Sequence, residues 1–540
     1  MAKYSKSLLY NKAIALTTLF FIYGCIHNDN SSIEGQVFRY NEHKNITSLD
    51  PAFAKDNANI WAVNQLFNGL VEMDDHMKII PSIAKKWDIS ENGTLYTFYL
   101  RKDVYFHSHE KFGVNSTRLV NAADFEFSFK RLMDPKVASP GGWVLKNVKE
   151  FSVIGSDKFK IKLKKPFASF LELLTMKYCS VVPKEIVDYY GADFRDNPVG
   201  TGPFFFKNWS ENNKLVFRKN KKYFETDEEG KRLPYLEAVA ITFLPEKQSE
   251  YSQFIQGNID FISGLDATYK DHILNPYGLL QNKHLKEINM IRGPYLNTEY
   301  LGFFMDSDVD EVQSGLLRQA FNYGFDRKKM IKYLRNNIGN VGEGGFIPKG
   351  LPGFNSNIGF KYNPEKAKGL VDEYKKLNKK NSIPSLIVET TENYLSFCEF
   401  IQRSLLDIGL KMTINVMPGS ALKSAKANGK TNIFRASWVA DYPDAQNYLS
   451  LFYSKNFAPN GPNYTHFKND NFDILYESAM VETNDSLRIK LYKKMDKIVM
   501  RETPIVVLFY DEVLRFTQKN IEGLGINPTN LLDLRKVKKN

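Results

Sequence analysis

The chain has 540 residues, of which 43% are hydrophobic and 25% charged. That is a soluble globular balance in a chain too long for one compact core, so at least two domains are expected. Its 73 basic and 61 acidic residues leave a net charge of +12, with the basic residues scattered in short runs such as Lys219 to Lys222, Lys375 to Lys380 and Lys536 to Lys539. Without a zinc-finger, RRM-like or basic-zipper pattern, these read as solvated faces, and nucleic acid is not expected as a partner.

At the N-terminus, Lys3, Lys6 and Lys12 precede an apolar run, Ala13 to Tyr23. The run falls well short of the ~20 residues that span a bilayer, and with its basic flank it reads as an export signal. It ends in Ile22-Tyr23-Gly24-Cys25, which resembles the lipobox of bacterial lipoproteins, with a less usual Tyr at its second position. The resemblance implies cleavage before Cys25 and its lipidation. A signal peptide over 1–24 and a polar, lipid-anchored tether over 25–36 are therefore expected. Only Cys179 and Cys398 remain beyond Cys25. They cannot build a disulfide scaffold or a zinc cluster, and sequence leaves their pairing open.

Val37 to Tyr40 starts as a strand. Ala54 to Leu70 reads as a helix, with Ile60, Val63, Phe67 and Leu70 on one face. Leu95 to Leu100 and Phe159 to Leu163 alternate as strands around a helix over Asn121 to Met133 that Asp134-Pro135 ends. The Gly- and Pro-rich Asn197 to Pro203 marks a tight connection, read as structural. Strands follow at Phe204 to Phe206, Lys214 to Arg218 and Ala238 to Phe243. Tyr300 to Met305 is a further apolar run. Helices are expected over Asp310 to Tyr323, Asn363 to Tyr374, Phe397 to Ile408 and Asp485 to Met500, with strands at Ser385 to Val388, Lys411 to Val416 and Pro504 to Tyr510. This interleaving is α/β, with no short internal repeat.

Motifs of catalysis do not stand out. There is no Gly-x-Ser-x-Gly elbow, phosphate loop or His-Glu-x-x-His. His107-Ser108-His109 has strand spacing for two imidazoles on one side but no evident third ligand, so solvent-exposed histidines are expected. Gly342 to Gly345 is expected to be a flexible loop.

A series of segments resembles the oligopeptide/dipeptide-binding family of bacterial ABC importers, solute-binding protein family 5. They are Leu49-Asp50-Pro51 with Leu66 to Leu70; Pro81 to Trp87 continuing to Tyr96 to Val104; Ala123-Asp124-Phe125 with Arg131 to Pro135; Gly200 to Phe204; Leu317 to Ala320 with Asp326-Arg327; Tyr362 to Ala367; and Arg435 to Asp444. The resemblance implies an α/β fold with mixed sheets: a two-lobed, periplasmic-binding-protein-like (class II) clamshell with an extra subdomain. Lobe I would comprise 37–67, 192–299 and 504–540, the subdomain 68–191 and lobe II 300–503. It also implies a peptide, more often an oligopeptide, as ligand, ABC permease subunits as partners, and a monomer anchored by lipid on the outer side of a bacterial membrane. No enzymatic activity, cofactor or metal is expected.

A free peptide carries an ammonium and a carboxylate, and burying both is costly unless each is paired. The resemblance puts Asp441 on the ammonium and Arg435 on the carboxylate of shorter peptides, with Ser437, Trp438 and Val439 offering main-chain bonds and an apolar wall. Tyr510 is a further candidate for lining the cleft. Read from the residues alone, Asp441 could equally cap the Tyr442-Pro443 turn, Arg435 form a surface ion pair and Trp438 fill a core. The same fold binding a nickel complex, haem or a sugar, a lipid-anchored hydrolase, and an adhesion protein are the other readings.

Overall fold

The computed structural model describes residues 36–90 and 92–540. The signal peptide, Cys25 and all but the last residue of the expected tether lie outside the described residues. Among these, no helix is long and apolar enough to cross a membrane.

Strands Val37–Asn41, Ala238–Thr242, Lys214–Lys219 and Phe204–Ser210 form one flank of an 11-stranded mixed sheet. Met412–Val416, Leu386–Thr390 and Ile433–Val439 form the other. Two long strands, Ile288–Phe303 and Ile505–Gln518, join the flanks. They pair antiparallel from Ile288 opposite Gln518 to Gly302 opposite Ile505, with a register shift between Pro294 and Thr298. Before the shift they pack with Phe254 and Ile273 against one core. After it, Leu301, Phe303, Val506 and Leu508 join Leu317, Phe321 and Ile401 in another. One continuous pair of strands thus serves two cores, which is why the fold has two lobes.

A four-stranded antiparallel sheet stands apart, in the order Ala84–Ile89, Leu95–Leu100, Lys158–Leu163, Val148–Ile154. Alternate residues Tyr96, Phe98 and Leu100 are buried, as period-two patterning requires. Helix Ala122–Met133 covers this sheet, with Phe125 and Phe129 meeting Phe159 at ring-centroid distances of 6.0 and 5.7 Å. Asn121 starts the helix by accepting from the backbone N–H groups of Ala123 and Asp124.

Several expectations change. The first helix covers only Asn57–Leu66, with Asp56 accepting from the Asn59 N–H as its cap. It stops because the chain after Leu66 lies against Gly200–Gly202: the Gly202 N–H donates to the Leu66 carbonyl at 2.8 Å. A Cβ on Gly202 would fall 2.4 Å from the Leu66 carbonyl carbon, so only glycine admits this approach. The helix expected over Asp310 to Tyr323 is two, Asp310–Gln313 and Gly315–Tyr323, with Ser314 capping the second. His107 is buried rather than solvent-exposed. Its ring faces the Gly202 carbonyl at 3.0 Å and accepts from the Gly200 N–H, pinning the same loop. Cys179 and Cys398 are both free, each buried in a different core.

Candidate binding site between the lobes

A cavity of about 230 Å³ lies between the lobes. One wall comes from the first helix and its approach (Lys55, Asn57, Trp61), the segment Thr175 to Tyr178, and the C-terminal residues Asn527 to Arg535. The other is the end of strand Ile433–Val439 and the turn after it, from Val439 to Pro443. Tyr442 joins the core of the first lobe and faces Trp143 at 6.4 Å, so the two walls meet around the cavity.

Asp441 sits on the second wall and is exposed to water. The protein packed around it still raises its carboxyl above the usual carboxylate range, against the pull of one hydrogen bond. That bond comes from Asn447, whose side-chain N–H donates to Asp441 Oδ2 at 3.2 Å. The Asn447 carbonyl oxygen accepts from Trp438 Nε1 at 2.7 Å and from the Asp441 backbone N–H at 3.3 Å. Asn447 is buried on helix Ala445–Leu449, whose N-cap Asp444 accepts from the Gln446 N–H. Among the described residues Asp441 has no cation in contact, and it lines the cavity.

Ser437, Trp438 and Val439 are half-buried at the end of their strand. On one edge, Asn297 to Phe303 pair with Val439 to Ile433. On the other, Leu386–Thr390 reaches only Ile433 and Phe434. Among the described residues, no strand pairs with 435–439 on that edge, which leaves main-chain donors and acceptors open to an extended ligand.

The charge of Arg435 is paired within the protein, while its Nε is buried without a hydrogen-bond partner. Its guanidinium pairs with Glu299 of the long strand and lies over the Tyr394 ring, 3.2 Å from the centroid. Glu299 also accepts from Tyr394 Oη at 3.1 Å and from Asn297 Nδ2 at 3.0 Å. Tyr510 does not line the cavity. It is buried against Phe354, and its hydroxyl donates to the Gly345 carbonyl at 2.5 Å. The loop Gly342 to Gly345 is packed between these elements: a Cβ on Gly342 would lie 2.7 Å from the Leu508 backbone.

Sequence reasoning did not find Asn447, Glu299 or Lys177, which lines the first wall. Glu299 and Lys177 lie far in sequence from Arg435 and Asp441, and Asn447, although close to Asp441 along the chain, belongs to no recognisable spacing.

Two lobes joined by a pair of crossing strands around a shared cavity define a clamshell solute-binding protein. The chain belongs to the bacterial extracellular solute-binding proteins of family 5, whose middle-region profile matches residues 78–460. It is 26% identical over 487 residues to the dipeptide-binding protein of Escherichia coli K12, covering 86% of this chain and 87% of that one. It is 28% identical over 466 residues to heme-binding protein A of Haemophilus influenzae, covering 82% and 80%. The solved periplasmic binding protein DppA of Helicobacter pylori, in complex with the peptide STSA, superposes with a TM-score of 0.77 at 25% identity, covering 94% of this chain and all (100%) of that one.

Proposed function

We propose that this protein captures short peptides with a free α-amine outside the cytoplasm and delivers them to an ABC importer. The observation that carries the reading is Asp441: a carboxylate in the cavity wall with no cation beside it among the described residues, held by Asn447 at the open edge of residues 435–439. An ammonium would restore its charge balance, and the open edge would bond the peptide main chain without reading its side chains. The relatives named for dipeptides and for the peptide STSA support this ligand class.

The reading favours short peptides over long ones. Arg435, which the resemblance puts on the peptide carboxylate, is paired with Glu299 within the protein. The cavity of about 230 Å³ lies below the ~300–1,000 Å³ of drug-sized pockets. The lobe limits proposed from sequence go with a hinge at Tyr295 to Asn297, where the long strands shift register. The protein acts as a monomer without catalysis, tethered by a lipid on Cys25.

Mass spectrometry of small molecules released on denaturing the purified chain, expressed from Ile26 onward, tests the proposal. A mixture of short peptides is expected, absent from the Asp441→Ala protein. Haem, a metal complex or a sugar in their place would refute the peptide reading. So would an empty protein that gives no calorimetric heat with a peptide library.

A further inference from the structure

The wall opposite Asp441 carries a cation that, among the described residues, has no partner in contact. Lys177 opens the short helical turn Lys177–Cys179, and its half-buried side chain lines the same cavity as Asp441. The neighbouring Arg535 gathers three carboxylates, from Asp533 at 2.6 Å, Glu72 at 2.9 Å and Glu225 at 2.6 Å. Arg535 carries one positive charge against these three, so Glu72, Glu225 and Asp533 also favour a charged Lys177, from beyond ion-pair distance. Among the described residues, none lies within ion-pair distance of the Lys177 ammonium, nor does any group accept a hydrogen bond from it. Burial disfavours its charged form, and the nearby acids only partly oppose this. Lys55, the other lysine of the lining, is exposed, so water satisfies it without a ligand.

An enclosed ammonium that keeps its charge calls for an anion, and the cavity is where one can reach it. Resting on the peptide reading, we propose that Lys177 receives a carboxylate of the bound peptide, from its C-terminus or from an acidic side chain. The two charged ends of the ligand would then meet opposite lobes, ammonium on Asp441 and carboxylate on Lys177. Both contacts exist together only when the lobes are closed. A zwitterion therefore favours the closed form over the open one, whereas a ligand lacking either charge favours it less.

Calorimetry at pH 7 with Ala-Ala and Ala-Ala-Ala, each as free acid and as C-terminal amide, tests this on the wild type, Lys177→Met and Lys177→Arg. The wild type should prefer the free acid about tenfold or more, Lys177→Met should lose that preference, and Lys177→Arg should keep most of it. If an acidic side chain is the source, the same pattern should separate Ala-Glu-amide from Ala-Gln-amide instead. A Lys177→Met protein that keeps the wild-type preference in both comparisons overturns the proposal. So does one that loses acid and amide equally, which would mark Lys177 as a structural counter-charge. Should the wild type bind peptides and need Asp441 while ignoring Lys177, only this inference falls; should it bind no peptide, the functional reading falls with it.

Discussion

Asn447 holds Asp441 in place: its amide N–H reaches the carboxylate at 3.2 Å while its carbonyl oxygen takes the Trp438 indole N–H at 2.7 Å. The acid and the ring beside it are thus set by one buried side chain from the following helix. Asn447→Leu should leave the carboxylate free to swing and the indole without an acceptor. Peptide affinity should fall about tenfold, and Asp441→Asn should cost more, on the order of a hundredfold or above, since it removes the charge itself. Titration calorimetry of both variants with one peptide checks the order; equal losses would contradict it.

Closure should respond to pH through Glu172. This residue, from helix Phe170–Leu174 beside the four-stranded sheet, faces Asp444, Arg488 and Asp485 of the second lobe, with Tyr96 on its own side. Its Oε2 is buried without a partner. Burial first, and Asp444 second, push its carboxyl up to about 7. A carboxyl whose pKa is raised on closing binds its proton more tightly when closed, so the closed form loses stability as pH rises from its ordinary value to about 7. Peptide affinity should therefore be several-fold higher at pH 5.5 than at pH 8. Glu172→Gln should flatten that profile, mainly by raising affinity at pH 8; an unaltered profile would remove Glu172 from the account.

The pair Arg435–Glu299 is a stability element in the closed interior of the second lobe. Removing one partner strands the other's charge. Arg435→Met should lower stability by about 3–5 kcal/mol, and Arg435→Met with Glu299→Gln should recover part of it. Denaturant unfolding of the single and double variants measures this. A stable Arg435→Met protein with lost affinity for free-acid peptides would instead restore Arg435 to the ligand.

Glycine is required at Gly202 but not at Gly369. A Cβ at Gly202 would press into the Leu66 backbone, whereas at Gly369, inside helix Pro364–Leu377, it would meet nothing within 4 Å. Gly202→Ala should destabilise by more than about 2 kcal/mol, while Gly369→Ala should stabilise by about 0.5–1 kcal/mol. Thermal unfolding of the two variants should move in opposite directions.

The two long strands show where sequence reading stopped. Pro504 to Tyr510 and Tyr300 to Met305 were visible as apolar runs because both of their faces are buried in the second lobe. Their continuations, Asp511 to Gln518 and Ile288 to Glu299, mix charged, polar and apolar residues and carry no such signal. Those segments are strands because each supplies the other's hydrogen bonds across the sheet. The helix after Leu66 failed in the opposite sense: its periodicity ran on to Leu70, but the contact with Gly202 ended it.

Local patterning alone determined that strands and helices alternate, that Asn121 begins a helix and that Pro364 opens another, because caps, proline and period-two burial act within a few residues. The ordered run of family segments, Arg435 to Asp444 among them, determined the kind of protein and pointed to Asp441. Tertiary structure alone decided which charges remain available. Arg435 is paired with Glu299 and three carboxylates gather on Arg535, while Asp441 and Lys177 line one cavity with no oppositely charged group in contact among the described residues. Charge pairing depends on separations of a few ångströms between residues that lie far apart along the chain, and only the folded backbone sets those distances.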